Sequence, residues 1–387
     1  MRILSITGNR ADYDLMSYLY RYFNRDPDIE FGLVVTGAHL TTNYGSSIED
    51  IKKDGNSIVA EIEDIFDSSH NGSRAKTTGI LIQSLTDTVR NFHPDILIAA
   101  GDREDVLAMA VVALYMRIPF LHFFAGDQAD SGNVDNLTRH ATSKIATAYF
   151  VSCDEHKKRL LAIGEEETRI YNIGSVALDK FREEPVLPVE EVLKVLGLQG
   201  QGFEKYALLI YHPPAEIVGE NLEIEAILRT LAERGIKTVV SHPNTDFNNH
   251  AILEKYALYK DNPNFYFYHN LSRNLFVNLY RHAVFQIGNS SSGVCEAASI
   301  PIPVINVGSR ESGRGNSENV IFVQDYRKGL SKAIETAMSE KYRESIKNTK
   351  NIFGDGFSSK KAYELIKTVD FSKVILKKYD PLRRKRL

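Results

Sequence analysis

Short apolar runs that alternate with longer amphipathic stretches constrain this chain more than any other feature of its sequence. Runs such as RILSIT, DILIAAGD and TAYFVSCD are apolar and are closed by Gly or Asp. Between them lie helix-like stretches such as LMSYLYRYFNRD and DVLAMAVVALYMR. Apolar strands followed by amphipathic helices are typical of parallel βαβ units, in which helices cover both faces of the sheet. The pattern therefore predicts the doubly wound α/β fold class.

The alternation occurs twice, and the stretch REEPVLPVEEVLKVLGLQGQGFEK between the two series favours a hinge and a short helix. A chain of 387 residues is also too long for one ordinary core. We predict a Rossmann-like domain over 1–180, a second over 181–365, and a C-terminal helix with a basic tail over 366–387. Open sheets of this class bind ligands outside the carboxyl ends of their strands, so we expect a ligand cleft between the two domains.

Bulk properties exclude several classes of function. A net charge of −3 gives no general reason to expect a nucleic-acid partner. No apolar run approaches the roughly 20 residues that span a bilayer, and MRILSITG is typical of a buried strand rather than of a signal peptide. Two cysteines far apart in sequence indicate reduced thiols. We expect a cytoplasmic protein with no nucleic-acid or membrane partner.

Two loops of the first half carry charged residues directly after a strand. TGNRADYD has a Gly-Asn turn entering a helix, whose free N–H groups suit an anion, and Arg10 adds a charge-assisted donor. In AAGDRED, Asp102 and Arg103 follow the turn glycine, although helix capping is an alternative role for Asp102. Neither a dinucleotide fingerprint nor a phosphate-binding P-loop motif occurs in the sequence.

The stretch HFFAGDQADSGNVDNLTRH places several carboxylates after a third strand. It contributes Asp127, Asp130 and Asp135, followed by Arg139. Asp135 and Arg139 are four apart and share one face if a helix begins beside them, so a solvated ion pair is the alternative to a site. Carboxylates that gather at one sheet edge push each other's pKa values apart, as acid/base chemistry requires. Together with Asp102, this loop predicts such chemistry.

Two histidines of the second half lie just beyond strands. His212 in YHPPAE and His242 in SHPNTD are each followed by Pro, which holds the backbone more rigidly than a free loop does. The sequence has no H-E-x-x-H and no tight Cys/His spacing. We therefore expect no metal.

The stretch IGNSSSGVCEAASIPIPVINVGSRESGR is the most informative part of the chain. Hydroxyls of Ser290 and Ser291 and the amides of a helix N-terminus form a cradle for a diphosphate, and Glu296 can bridge two ribose hydroxyls. A nucleophile elbow would need G-x-S-x-G, which is not matched. Arg310 and Arg314 add two anion donors at the same edge.

Seven motifs together resemble the UDP-N-acetylglucosamine 2-epimerase family. In order they are NRADYD, VVTGAHL, AAGDR, VDNLTRHATSKIA, IGSVALDKF, GNSSSGVCEA and VGSRESGRGNSENVI, and they run from about Arg2 to Val323. The last is typical of the hydrolysing branch, which starts sialic acid and related nonulosonate synthesis. The chain is thus identified as similar to that branch.

The resemblance implies a GT-B-like fold with UDP held by the second half. It implies that Ser290 and Ser291 bind the diphosphate and that Glu296 binds the ribose. Contacts to phosphates or sugar are implied for Arg10, Arg103, His212 and Arg310. The implied chemistry is elimination of UDP across C1 and C2 to a glycal, followed by addition of water, without a metal or nicotinamide. Family members form dimers and tetramers, so a homodimer or homotetramer is expected.

One departure concerns a glutamate that the family carries in a His-Ile-Glu-Gly-Gly type segment. Phe124 stands at that position here, and phenylalanine cannot transfer a proton. We expect Asp127 or Asp130 to reach the same space. The predicted catalytic set is Asp102, Asp127, Asp135, Arg139 and His212. The predicted substrate-binding set is Arg10, Arg103, His242, Ser290, Ser291, Glu296, Arg310 and Arg314.

Three alternatives remain open from the sequence. A non-hydrolysing 2-epimerase returns the UDP-sugar epimer, which the GSRESGRGNSENV stretch disfavours. A glycosyltransferase can share the same two-domain architecture, because a fold does not fix a function. A nucleotide-sugar-binding protein that lost catalysis with the glutamate is the third.

Overall fold

The computed structural model describes residues 1–41, 47–65, 72–128, 134–213, 222–243, 249–378 and 380. Two compact units form the chain. The first contains the chain up to Gln128, the stretch that ends at Asp179 and the residues from Gly356 on, and the second contains Lys180–Asp355. Within the described part of the chain, no helix is long and apolar enough to cross a membrane.

The first unit is built on a sheet of seven parallel strands. They are β1 Arg2–Thr7, β2 Glu30–Thr36, β3 Ile58–Ile62, β4 Ile96–Ala100, β5 Phe120–Phe123, β6 Ala148–Val151 and β7 Ile170–Asn172. The order is β3-β2-β1-β4-β5-β6-β7, so the direction of winding reverses between β1 and β4.

Helices cover both faces of this sheet because its central strands bury apolar side chains on both sides. The helices are α1 Arg10–Arg25, α2 Ile48–Lys53, α3 Ser73–Phe92, α4 Glu104–Met116, α5 Val134–Ile145, α6 Asp154–Ala162 and α15 Ser358–Thr368. One core cluster includes Leu19 and Phe23 of α1, and the other includes Leu85 of α3 and Met109 of α4. Burial of this apolar area drives the packing.

The second unit repeats the plan with six parallel strands. They are β8 Ala207–Ile210, β9 Thr238–Ser241, β10 Phe265–Tyr268, β11 Phe285–Gly288, β12 Val304–Val307 and β13 Val320–Val323. Their order is β10-β9-β8-β11-β12-β13, with the reversal between β8 and β11. The remaining helices are α7 Asp179–Glu183, α8 Val189–Val195, α9 Leu222–Glu233, α10 Asn249–Ala257, α11 Arg273–His282, α12 Ser291–Cys295, α13 Tyr326–Met338 and α14 Glu340–Ile346. The predicted fold class, two doubly wound Rossmann-like domains, is confirmed.

The C-terminal helix α15 packs in the first unit. The sequence analysis places residues up to 365 in the second domain, whereas the first unit resumes at Gly356. Asp179 accepts hydrogen bonds from the backbone N–H groups of Ser358 at 3.1 Å and Ser359 at 2.8 Å, at the N-terminus of α15. Ala362 of α15 is buried in the first core cluster, so apolar packing explains the return of the chain.

Candidate active site

The winding reversal in each sheet marks a place where a ligand is expected. At a switch point the loops from the carboxyl ends of two neighbouring strands diverge and leave a crevice. In the first unit this edge includes the loops after β1, β4 and β5. In the second it includes the loops after β8 and β11. Most of the predicted residues follow these strands, whereas His242 follows β9, and Arg310 and Arg314 follow β12, the neighbour of β11. We call the two places, the second together with the loop after β12, the first edge and the second edge.

Arg139 organises the first edge. It lies on α5, is only 5% exposed, and its guanidinium bonds the carboxylate of Asp102 in the loop after β4. Its Nη1 donates to the carbonyl oxygen of Phe124 at 2.8 Å, and its Nη2 lies 4.0 Å from Oδ2 of Asp127. Three predicted catalytic residues, Asp102, Asp127 and Arg139, therefore come together.

Asp135 opens α5 but has a different partner. Arg74 of α3 binds its Oδ1 at 3.2 Å and also binds Glu104 of α4. The alternative of a solvated ion pair between Asp135 and Arg139 is wrong, because Arg139 is buried and its guanidinium binds the carboxylate of Asp102. Burial raises the pKa of Asp135, and the Asp102 carboxylate raises it further. Asp135 is thus within electrostatic reach of Asp102.

The loop after β4 does not cap its helix with a carboxylate. Arg103 is the N-cap residue of α4 and makes no side-chain capping bond, so the capping alternative for Asp102 is wrong. Arg103 points its Nε to 3.7 Å from Oδ2 of Asp12, in the first turn of α1. This ion pair links the loop after β4 to the start of α1, which follows β1. Arg10 is the first residue of α1.

Two further carboxyl groups, which the sequence analysis missed, lie beneath this edge. Burial raises the pKa of Asp12 to about 6 and that of Asp105 to about 7, and Asp12 adds to the shift of Asp105. A Cβ on Gly8 would lie 3.1 Å from Oδ2 of Asp105, so glycine leaves room for that carboxyl. In the sequence both acids are ordinary first-turn residues of helices, where Asp is common for its effect on the helix dipole, so nothing there singled them out.

Phe124 occupies an uncommon backbone conformation. Its φ is +57°, in the left-handed region that a bulky residue rarely adopts. Its side chain packs against the first core cluster, while its carbonyl accepts from Arg139. Such conformations are concentrated at functional sites. The turn directs the chain so that Asp127, three residues later, approaches Arg139, whereas Asp130 lies outside the described residues.

The second edge is built from hydroxyl and amide groups. Ser290 is the N-cap of α12 and accepts from the backbone N–H of Ser292 at 3.3 Å, and Ser291 is the first residue of the helix. The side chain of Asn289 accepts from the backbone N–H of His212 and donates to its carbonyl oxygen, both at 2.8 Å. The loops after β8 and β11 are therefore fixed to each other, with His212 bound to Asn289, the residue before Ser290.

Both predicted arginines of this edge are held by one buried carboxylate. Glu311 is 1% exposed and binds Arg310 Nη1 at 2.8 Å and Arg314 Nη1 at 2.7 Å. Arg310 also donates to the carbonyl oxygen of Asn289 at 3.0 Å, which brings it to the serine loop. The sequence analysis missed Glu311. Its position between two arginines in SRESGR was the available indication.

Glu296 and His242 have partners of their own. The Glu296 carboxylate lies 2.7 Å from Nζ of Lys180, a pair that the sequence analysis did not foresee. His242 follows β9, stacks on His269 with ring centroids 3.6 Å apart, and donates from Nδ1 to the Tyr268 carbonyl oxygen at 2.9 Å. Its contacts thus lie at the end of β10. Burial lowers the pKa of His242.

Metal binding finds no support in the clustering of side chains. Among the described residues, no group of three or more His, Cys, Asp or Glu is placed to hold an ion.

Comparison with known proteins decides the family. A family model described as UDP-N-acetylglucosamine 2-epimerase matches residues 21–367. The chain belongs to the UDP-N-acetylglucosamine 2-epimerase family. The resemblance inferred from the seven motifs is confirmed.

Relatives within this family carry names that specify a reaction. A hydrolysing UDP-N,N'-diacetylbacillosamine 2-epimerase of Legionella pneumophila is 32% identical over 381 residues, which cover 97% of this chain and 98% of the relative. A hydrolysing GDP/UDP-N,N'-diacetylbacillosamine 2-epimerase of Campylobacter jejuni is 29% identical and covers 89% of each chain. A UDP-N-acetylglucosamine 2-epimerase of Neisseria meningitidis is 30% identical over 87% of this chain and 88% of its own.

Solved structures of family members share the fold. The Neisseria meningitidis UDP-GlcNAc 2-epimerase bound to UDP-GlcNAc superposes with a TM-score of 0.79 at 19% identity, over 95% of this chain and 100% of that one. The Methanocaldococcus jannaschii enzyme in complex with UDP-GlcNAc and UDP gives a TM-score of 0.74 at 21% identity, over 95% and 100% of the two chains. The predicted GT-B-like fold type is thus confirmed for this epimerase family member.

Proposed function

We propose that this family member is a hydrolysing 2-epimerase of a nucleotide-activated 2-acetamido sugar. It converts a UDP-sugar and water into UDP and the free sugar with the configuration at C2 inverted. The observation that carries the proposal is the group formed by Arg139, Asp102 and Asp127 at the carboxyl ends of neighbouring strands. Carboxylates held on a buried guanidinium are suited to exchanging a proton with carbon.

The reaction proceeds in two balanced steps. In the first, the bond from C2 to hydrogen and the bond from C1 to the phosphate oxygen break. The proton goes to a carboxylate, the electron pair of the C2–H bond forms the C1=C2 double bond of the glycal, and the electron pair of the C1–O bond leaves with UDP. In the second step the hydroxyl of a water adds to C1 of the glycal and a carboxylic acid returns a proton to C2 on the opposite face. The proton released by that water re-protonates the carboxylate that donated to C2, and the proton taken up in the first step passes from its carboxyl group to solvent. Both groups then return to their starting forms, which is general acid/base catalysis.

We assign the proton transfers to Asp102 and Asp127, with Arg139 holding both carboxylates in place. Asp135, whose pKa is raised by burial, is the third acid of this edge and supports protonation of the leaving group or of C2. Arg10 and Arg103 flank the same loops and are assigned to substrate contacts.

The second edge is assigned to the nucleotide. Ser290 and Ser291 bind the diphosphate, together with Arg310 and Arg314, since charge-assisted donors bind phosphate strongly. Glu296 binds the ribose. His212 and His242 are assigned to the phosphates and to the nucleotide, respectively.

The relatives favour a particular sugar. The two hydrolysing relatives, from Legionella pneumophila and Campylobacter jejuni, are named for N,N'-diacetylbacillosamine. We therefore propose a UDP-linked diacetamido-trideoxy sugar as the preferred substrate, with UDP-N-acetylglucosamine as the second. The product is a free mannose-configured 2,4-diacetamido sugar.

The test follows each UDP-sugar in deuterated water by proton NMR. We expect free 2-epimer carrying deuterium at C2, together with one equivalent of UDP, and faster turnover of the diacetamido substrate. Accumulation of an epimeric UDP-sugar without UDP release would support the non-hydrolysing alternative. UDP release only after addition of a sugar acceptor would support a glycosyltransferase.

A further inference from the structure

A buried histidine lies behind the loop that carries Asp127. His156 is in the first turn of α6 and is only 4% exposed. Its Nε2 donates to Oδ1 of Asp127 at 3.2 Å. The sequence analysis did not consider this residue, because it lies in an ordinary amphipathic helix. Because His156 contacts a candidate catalytic carboxylate, it can affect the charge and the orientation of that carboxylate.

The backbone of the loop is fixed to the same helix by two contacts. Gly126 has φ +74°, and a Cβ there would lie 2.4 Å from the carbonyl oxygen of His156. Nη1 of Arg159, on the next turn of α6, donates to the carbonyl oxygen of Gly126. Asp127 therefore meets the imidazole from a loop that has little freedom to shift.

The two carboxylate oxygens of Asp127 face two different cations. Oδ1 faces His156, and Oδ2 lies 4.0 Å from Nη2 of Arg139, the group that also binds Asp102. The Asp127 side chain is 14% exposed, so the carboxylate is sheltered without being closed off. This arrangement orients Oδ2 toward the Asp102 side of the edge.

The imidazole is charged at neutral pH. Burial lowers the pKa of His156, but the hydrogen bonds to Asp127 and to Cys153 outweigh burial and raise it to about 9. Asp127 and Cys153 act on the imidazole itself. Arg139 lies near the Asp127 carboxylate, and Arg159 binds the carbonyl oxygen of the preceding residue, Gly126. An imidazolium in contact with a carboxylate favours the ionised form of that carboxylate.

We propose that His156 is a positioning residue that keeps Asp127 ionised and aimed at the Arg139–Asp102 group, so that Asp127 acts where Phe124 has replaced a carboxylate. His156 keeps its proton throughout and does not touch the sugar. This inference rests on the proposed function, because it names how one carboxylate of that reaction is prepared.

The first experiment measures the pair without substrate. The imidazole of His156 is titrated by NMR in the wild-type protein and in Asp127→Asn, with the ring resonances assigned by comparison with His156→Gln. We expect the titration midpoint in Asp127→Asn to fall by more than one pH unit, because the anionic partner is lost. An unchanged midpoint would overturn the proposal.

The second experiment measures turnover of the UDP-sugar. In His156→Gln the amide retains a hydrogen bond without charge, so kcat falls about tenfold or more while KM changes little. The acid limb of the kcat profile moves to higher pH by about one unit. The double variant Asp127→Asn/His156→Gln has the kcat of Asp127→Asn alone, since positioning has nothing left to act on.

Arg159→Gln is the matched control. It removes a contact to the same loop but leaves the imidazolium, so the acid limb stays where it is in the wild type. If kcat fell equally in His156→Gln and Arg159→Gln and the acid limb of the kcat profile did not move, His156 would have only a structural role. If the wild-type protein releases UDP from neither UDP-sugar, the proposed function fails and this inference fails with it. Wild-type turnover with an unaffected His156→Gln overturns the inference alone.

Discussion

The two edges are alike in topology and differ in chemistry. Each lies where a parallel sheet reverses its winding, between β1 and β4 in one unit and between β8 and β11 in the other. The first edge gathers carboxyl groups around buried Arg139, and burial shifts the pKa of several of them upward. The second gathers hydroxyls, an amide and two arginines that share Glu311.

The difference teaches that the same backbone plan supports two tasks according to the side chains placed on its loops. Carboxyl groups with altered pKa values suit proton exchange with carbon. Hydroxyls, amides and guanidinium groups suit the binding of a diphosphate. We therefore assign proton transfer to the first edge and nucleotide binding to the second.

The largest expected effect comes from Asp102→Asn. The amide retains a contact with Arg139, so the fold is preserved, but it cannot accept the C2 proton. We expect kcat to fall by about a thousandfold, measured as UDP release. The affinity for UDP, measured by calorimetry, stays within about twofold of the wild-type value if UDP binds the second edge. A normal kcat would remove Asp102 from the chemistry.

A smaller effect of opposite character is expected from Glu311→Gln. Loss of the carboxylate charge releases Arg310 and Arg314 from their common partner, and we expect the dissociation constant of UDP to rise about tenfold. The kcat at saturating substrate changes little. Glu335→Gln is the control, because Glu335 is an exposed partner of Arg234 in the same unit. Unchanged UDP affinity with a large loss of kcat would reverse the assignment of the edges.

A third expected effect is on the dependence of folding stability on pH rather than on turnover or affinity. Asp105 has a folded-state pKa of about 7 against an ordinary value of 3.8, so the folded state retains a proton that the unfolded chain loses. Stability from this group is complete below about pH 4 and is lost as the pH rises through 7. Asp12 acts in the same direction, because burial raises its pKa as well.

Asp105→Asn tests this dependence by thermal unfolding between pH 4 and 8. The variant is expected to lose less stability than the wild type over that range. Asp87→Asn, a substitution at an exposed carboxyl on α3, is the control and should follow the wild type. A variant curve parallel to that of the wild type would show that Asp105 does not titrate in this window.

Most of the fold was predictable because the central strands are apolar on both faces. Strands such as β4 and β11 are buried along their whole length and stand out as apolar runs. Two strands, β3 and β13, were not predicted. Both are edge strands with mostly half-buried residues. A glutamate interrupts the apolar run of β3, whereas β13 reads VIFV and was missed although all four of its residues are apolar.

The candidate site was predicted as a set of loops but not as a set of contacts. Residues that follow a strand could be located, since parallel strands end at one edge. The partners Lys180 and His156 could not, because each comes from a distant or ordinary-looking segment and is important only through its contacts. Glu311 lies between its two arginines in SRESGR and was overlooked. Asp135 and Arg139 do not form the pair that their spacing allows, because Asp135 binds Arg74 of α3 and Arg139 binds Asp102 in the loop after β4.

Hydrogen exchange of the protein with and without UDP tests the division of labour most directly. We predict that UDP slows exchange most in peptides covering 289–296 and 308–314, while peptides covering 101–106 and 124–128 change least. That result would place the nucleotide on the serine, asparagine and arginine side chains of the second edge. Protection confined to 101–106 and 124–128 would contradict the account, because the carboxylate edge would then be the nucleotide site.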